Sequence, residues 1–374
     1  MNNTFVIEKP GTIHWKQLWS LAALYGSVVI GWIAYQNYQP RLLEKFEFKQ
    51  FALPLLIAQA IILVATPPIA GRMGDRYRKT KGHRIPIIMA GMSFAAMIFM
   101  AVAFTLFSNP GEVFKWILPV LIILWLIAMS IFTSPALSTI ELFTPVDELP
   151  MAMALLTIVA NLLYSLEPVI VDIIDFVGAP LTFVAGGALV FASGYALRST
   201  SLDLFKQRGG HEPAVEKDDN NAASPYGKIF VLGIALGIAT TVIFNFFPDI
   251  LEQHLPGNFS GKIKIVGILI ISACSSFFMT IPVNRYGLRR VLMVSIGVLG
   301  VSMLVIFTST SMPVLFAAVA IYGIAFTAFS VSALPLAMER SFAYEKVFCV
   351  GIFFSGVALP DSVVNILQAL PQYG

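Results

Sequence analysis

Eleven apolar runs, most of about 20 residues, occupy most of this chain and restrict its fold more than any other feature. They fall at 17–38, 51–70, 86–108, 114–140, 151–174, 179–197, 227–250, 262–283, 291–309, 312–337 and 346–369. A run of about 20 apolar residues matches the roughly 30 Å hydrocarbon core of a bilayer when it is helical. In that medium the backbone must satisfy its own hydrogen bonds, which leaves helices and closed barrels. The runs are too long for barrel strands, so the expected fold class is an all-α polytopic membrane protein. Only 12% of the 374 residues are charged, against about 25% in a soluble domain. Cys274 and Cys349 are the only cysteines and both lie in apolar runs, so they read as small hydrophobes rather than metal ligands or a disulfide. No cleavable leader is visible, because the first apolar run is itself long enough to span.

The segment 198–226, rich in Asp, Asn, Lys and Gly, divides the runs into six and five. It reads as a flexible linker between an N-terminal bundle (1–197) and a C-terminal bundle (227–374). Placing the N-terminus in the cytoplasm puts 18 of the 24 Lys and Arg residues on the cytoplasmic side and 6 outside. That asymmetry follows the positive-inside rule. The expected location is the plasma (inner) membrane, multi-pass.

The densest charge lies in Gly71–Pro86, where Arg72, Arg76, Arg78, Lys79, Lys81 and Arg84 accompany one acid, Asp75. Charges this dense cannot lie in hydrocarbon, so the stretch reads as a cytoplasmic loop, and its apolar flanks argue against nucleic-acid binding. Gly71, Asp75 and the adjoining Arg76 have the spacing of the cytoplasmic loop signature of the major facilitator superfamily, which the stretch resembles. The later Gly82, followed by Arg84 and Pro86, is similar to the longer form found in sucrose–proton symporters and the related glycoside–pentoside–hexuronide symporters. His83 and Ile85 depart from that pattern. SPALSTIELFTP (134–145) resembles a second stretch of the same branch, with Glu141 where an Asp is usual and Leu149-Pro150 in place of a basic residue.

The resemblance implies two six-helix bundles, each a repeat of the other. Arg285, Gly287 and Arg289 follow the second run of the second half as a degraded copy of the first loop, with Asn284 replacing the acid. It also implies that Gly71, Asp75, Arg76, Arg78, Gly82, Arg84, Arg285, Gly287 and Arg289 form gating loops that govern conformational exchange. Asp75 is expected to cap a neighbouring helix N-terminus and pair with a basic residue. Simple topogenic charge would account for the Lys and Arg but not for Gly71 and Asp75 at their spacing. Because the second half supplies five runs, a twelfth helix is expected beyond Gly374, the alternative being a natural eleven-helix variant.

An acid inside a membrane helix is costly and is a functional candidate for that reason. Glu167, beside Pro168 in the fifth run, and Asp361, beside Pro360 in the eleventh, occupy symmetry-related segments. Each is expected to couple transport to protons by changing exposure between inward and outward states. The competing reading is that both snorkel to the outer headgroups or cap a broken helix. Asp172 and Asp175 lie further out and read as surface charges. Trp32, Tyr35, Gln36, Asn37, Gln59, Asn161, Tyr164 and Asn245 are the candidate substrate-binding residues, amides to hydrogen-bond hydroxyls and aromatics to lie under a sugar ring. The competing reading for these is inter-helix bonding or an interfacial belt.

The functional expectation is a secondary active transporter of a small solute, a sugar or glycoside by resemblance, working as a monomer by alternating access coupled to protons. Two alternatives stay open: a transporter of a drug-like or organic-anion solute, and a non-transporting receptor or assembly factor on the same fold. An enzyme is not expected, because no nucleophile–base pair or metal-ligand spacing occurs. Nor is a cofactor: no Gly-Lys-Ser/Thr phosphate loop is present, and the four histidines are scattered.

Overall fold

The computed structural model describes residues 11–48, 51–108, 116–207, 224–254 and 260–370. Every regular element among them is helical. Among the described residues eleven helices are long and apolar enough to cross a bilayer: α1 (Trp15–Lys45), α2 (Ala52–Lys81), α3 (Ile85–Phe107), α4 (Ile117–Phe143), α5 (Val146–Val177), α6 (Ala179–Phe205), α7 (Tyr226–Gln253), α8 (Gly261–Tyr286), α9 (Leu288–Thr308), α10 (Met312–Glu339) and α11 (Ala343–Ala369).

Two expectations about loops are corrected. Most of the basic stretch is not a loop, since α2 runs unbroken through Gly71 and Asp75 to Lys81. Its pattern is amphipathic: Gly71, Gly74 and Asp75 are buried while Arg72, Met73, Arg76 and Tyr77 face outward, the i, i+3, i+4 spacing of one helix face. The connection shrinks to Gly82-His83-Arg84, and Gly82 ends α2 at φ 80°, the left-handed conformation open to glycine. The expected linker also starts late, because the helix of α6 continues past 197 to Gln207. Residues 208–223 of that segment lie outside the described residues.

Two spans, α5 and α7, are irregular at places that bear on the site. Ahead of Pro168, α5 breaks into a short 3-10 turn over Glu167–Val169, since proline cannot donate to the preceding turn. By contrast Pro360 sits inside a continuous helix in α11. In α7 a π-helical turn covers Val242–Phe246, an insertion frequent at functional sites.

Helix packing is close where α11 crosses α2 and α7, because glycines let backbones meet. A Cβ added to Gly71 would lie 2.5 Å from the Val347 carbonyl oxygen and 2.6 Å from Phe348 Cα. Gly351 meets the Pro67 carbonyl and Gly233 the Phe353 carbonyl just as tightly. Small residues at crossings of this kind are the membrane substitute for a hydrophobic driving force between helices. Large side chains such as Phe132, Phe143, Phe329 and Phe353 fill the interior behind these crossings.

Candidate functional site

The sequence-predicted residues gather at two opposite ends of the helix assembly. At the Gly71 end, helices from before and after the linker are fastened together. The Asp75 carboxylate accepts hydrogen bonds from the backbone N–H groups of Val347 at 3.3 Å and Phe348 at 2.9 Å. Both amides belong to the first turn of α11, where unpaired N–H groups and the helix dipole favour an anion. Arg78 donates to the Ala343 carbonyl, and the Arg72 guanidinium lies 4.7 Å from the Phe348 ring centroid.

A second contact centres on Glu141, at the end of α4. Its carboxylate takes Lys346 of α11 at 2.6 Å and Arg84 at 3.2 Å. Arg84 is wholly buried and also donates to the Ser138 hydroxyl at 2.7 Å. Glu141 was legible only as part of a motif; its bond to Lys346 unites residues 205 apart in sequence and needed the tertiary structure.

The remaining gating candidates are not drawn into this closure. Arg76 is exposed, and its carbonyl accepts a hydrogen bond from the Thr80 hydroxyl. On the copy in the second half, Arg285 and Arg289 are exposed, Arg285 lying over its neighbour Tyr286 at 5.4 Å. Gly287, at φ 86°, forms the tight turn between α8 and α9. With Asn284 exposed in the acid's place, the α2–α11 capping contact has no counterpart here among the described residues.

At the other end a cavity of about 950 Å³ lies between the two sets of helices. From α1 and α2 it receives Tyr35, Gln36, Asn37 and Gln59, and from α5 Tyr164 and Glu167. The facing wall carries Asn245 of α7 and Asp361 of α11. Eight of the ten predicted binding and coupling residues therefore share one space. Exposed Pro40, Arg41 and Glu44 line its mouth.

Trp32 and Asn161 lie outside it. Trp32 packs edge-on behind Tyr35 and Trp125, at centroid distances of 5.8 and 5.1 Å, and supports the ring that does line the cavity. Asn161 is buried and donates to the Ser272 hydroxyl of α8 at 2.7 Å, a bond between helices of the two halves.

Polar contacts organise the cavity walls. Tyr35 donates its hydroxyl to Gln59 Oε1 at 3.0 Å and stacks on Trp125 at 4.8 Å. Across the space, Asn245 Nδ2 donates to Asp361 Oδ1 at 3.1 Å, and Asn365 Nδ2 donates to Oδ2 at 3.0 Å. Both carboxylate oxygens of Asp361 are thus held by neutral amides, and no Lys or Arg pairs with it among the described residues. The π turn of α7 includes Asn245. Glu167 is arranged differently: Lys262 of α8 reaches it at 3.4 Å and Asn37 Oδ1 at 3.1 Å, so one cation bridges the two walls near the mouth.

Sequence reasoning missed three groups here. Asn365 stands one helical turn after Asp361 and could have been found by i, i+4 spacing. Thr241 lines the cavity with its buried hydroxyl unpartnered among the described residues, and Lys262 bridges the mouth; nothing in the sequence marked either.

The comparisons agree with this architecture. The profile of the Major Facilitator Superfamily matches residues 21–360. The crystal structure of a bacterial homologue of the iron transporter ferroportin, in outward-facing state with soaked iron, superposes with a TM-score of 0.71 at 15% identity, covering 97% of this chain and 92% of that one. The proton:xylose symporter XylE bound to 6-bromo-6-deoxy-D-glucose superposes with a TM-score of 0.67 at 10% identity, covering 96% and 90%. At these identities the likeness concerns the fold. No curated protein matches the sequence.

Proposed function

Because the chain belongs to the Major Facilitator Superfamily, and is thus a multi-pass membrane protein, we propose that it is a secondary active transporter alternating between the arrangement seen here and one open at the Gly71 end. The observation that carries this reading is the pairing of a closed end with an open one. Asp75 and Glu141 fasten α2 and α4 to α11, while the cavity is lined toward the opposite end by exposed residues. Exchange would require the Asp75 and Lys346 contacts to open as the Lys262 end closes. The Gly71 end is assigned to the cytoplasm of the plasma membrane, with the N-terminus on that side, and the monomer to the working unit.

For the cargo we favour a sugar or glycoside moved with protons. The walls offer amide donors and acceptors from Gln36, Asn37, Gln59 and Asn245 beside the rings of Tyr35 and Tyr164, the group types that recognise a hydroxylated ring. Asp361 is the preferred coupling carboxylate, as amides rather than a cation hold it and it can take a proton without breaking an ion pair. Glu167, already paired with Lys262, is the second candidate. A metal cation is the competing cargo, favoured by the oxygen donors around Asp361 and by the soaked iron in the similar ferroportin homologue.

Uptake into proteoliposomes under an imposed pH gradient tests the assignment, with labelled sugars, glycosides and ferrous iron as cargo. Sugar uptake that needs the gradient and falls at least ten-fold in Asp361→Asn is the expected result. Gradient-driven uptake unaltered in both Asp361→Asn and Glu167→Gln would remove the coupling assignment. Uptake of iron alone would replace the sugar reading.

A further inference from the structure

Separate from the cavity, an apolar groove of about 550 Å³ opens on the outer surface between α8, α9 and α10. Pro282 of α8, Val291, Val294 and Val298 of α9, and Ile324 and Ala328 of α10 are among its walls. Its polar members are few. Ser295 spends its hydroxyl on the Leu292 carbonyl, while Tyr286 and Arg290 stand at the end where α8 turns into α9.

That end is strongly basic. Arg285, Arg289 and Arg290 are all exposed and none forms an ion pair among the described residues. No Asp or Glu occurs between Glu252 and Glu339, so the walls contributed by α8, α9 and α10 as far as residue 338 hold no negative charge. The basic residues in the last turns of α2 and just after it differ, with Arg84, Arg78 and Arg72 engaged by Glu141, Ala343 and Phe348.

The length of the groove is informative. From Arg290 to Val298 the helix rises about 12 Å at 1.5 Å per residue, close to one leaflet of a hydrocarbon core about 30 Å thick. An apolar slot one leaflet deep with exposed guanidinium groups at its mouth matches an acyl chain beneath a phosphate. We propose that this groove binds an anionic phospholipid, its chain against Val294 and Val298 and its headgroup phosphate on Arg289 and Arg290. Guanidinium groups suit phosphate oxygens geometrically as well as by charge. The site lies on the second half alone, so its occupancy does not depend on the transport assignment.

Native mass spectrometry of the full chain in detergent, titrated with phosphatidylglycerol and with phosphatidylcholine of the same acyl composition, tests the proposal. The expected wild-type preference for the anionic lipid is about thirty-fold, from two basic side chains near the phosphate. R289Q/R290Q should bring the two lipids within about two-fold of each other, and Val294→Trp, at an exposed position in the groove, should weaken both. Equal binding of the two lipids by the wild type overturns the proposal. So does a preference that survives R289Q/R290Q, or one that disappears instead in K79Q/K81Q. Should R289Q/R290Q not fold, unaltered phosphatidylglycerol binding by Val294→Trp overturns it alone.

Discussion

The carboxylate of Asp75, in the last third of α2, caps the first turn of α11 through the Phe348 amide at 2.9 Å. The two residues are 273 positions apart, and α2 reaches the amide because Gly71 and Gly74 present no side chain to Val347 and Phe348. Charge, dipole and close packing therefore act at a single crossing.

Asp75→Ala should loosen this crossing without unfolding the protein. Loss of a cap costs about 1 kcal/mol, or roughly a five-fold change in a two-state population. Paired spin labels on α2 and α11 at the Gly71 end should report a larger share of long distances in the variant. An unaltered distance distribution would show that the cap does not set the balance between states.

Gly71→Leu should act in the same direction and more strongly. Its Cβ would meet the backbone of Val347 and Phe348, which cannot rotate away as a flexible side chain could. The expected outcome is a protein whose Gly71 end stays apart, seen as alkylation of a cysteine introduced at Val347 that the wild type protects. Protection equal to wild type would mean that α11 can shift to accommodate the side chain.

Arg84 offers a test of buried charge. It is fully buried against Ser138 and Glu141, and removing one partner of such a pair commonly costs about 3–5 kcal/mol by leaving a charge uncompensated. Lys346 remains on Glu141 at 2.6 Å, so the loss for Arg84→Gln should fall at the lower end. Arg84→Gln/Glu141→Gln should recover part of it, and thermal unfolding of the two single variants and the double variant gives the coupling. Strictly additive losses would argue that the two groups do not interact.

Thr241→Val separates function from stability. The Thr241 hydroxyl is buried in the cavity wall with no partner among the described residues, and removing an unsatisfied polar group is neutral to stabilising. Unfolding should occur at the same temperature or higher, while uptake by the reconstituted protein should fall if the hydroxyl binds cargo. A drop in stability would instead show that the hydroxyl contributes to packing.

How much of this was legible beforehand depended on the range of the interaction. The spans followed from the hydrophobic runs, since the bilayer fixes both their length and their helical form. Gly71, Asp75 and Arg84 stood out because a short-range pattern carried them, yet the same pattern suggested a loop where α2 in fact continues to Lys81. Tyr35, Gln59, Asn245 and Asp361 were marked by polarity in apolar surroundings, and they converge on one cavity. Asn161, marked in the same way, and Trp32, marked as an aromatic platform, lie outside it, against Ser272 and Trp125.

The sequence by itself determined which segments cross the membrane, which end is basic, and which few polar groups lie between. Those properties depend on transfer from water to hydrocarbon, which each residue undergoes largely independently. Which groups meet was decided by the tertiary structure alone. Lys346 on Glu141, Asn245 on Asp361 and Lys262 on Glu167 each join helices distant in sequence. Their partnership depends on how helices rotate and cross, and that is set jointly by glycine contacts such as Gly71 with Val347 and Gly233 with Phe353.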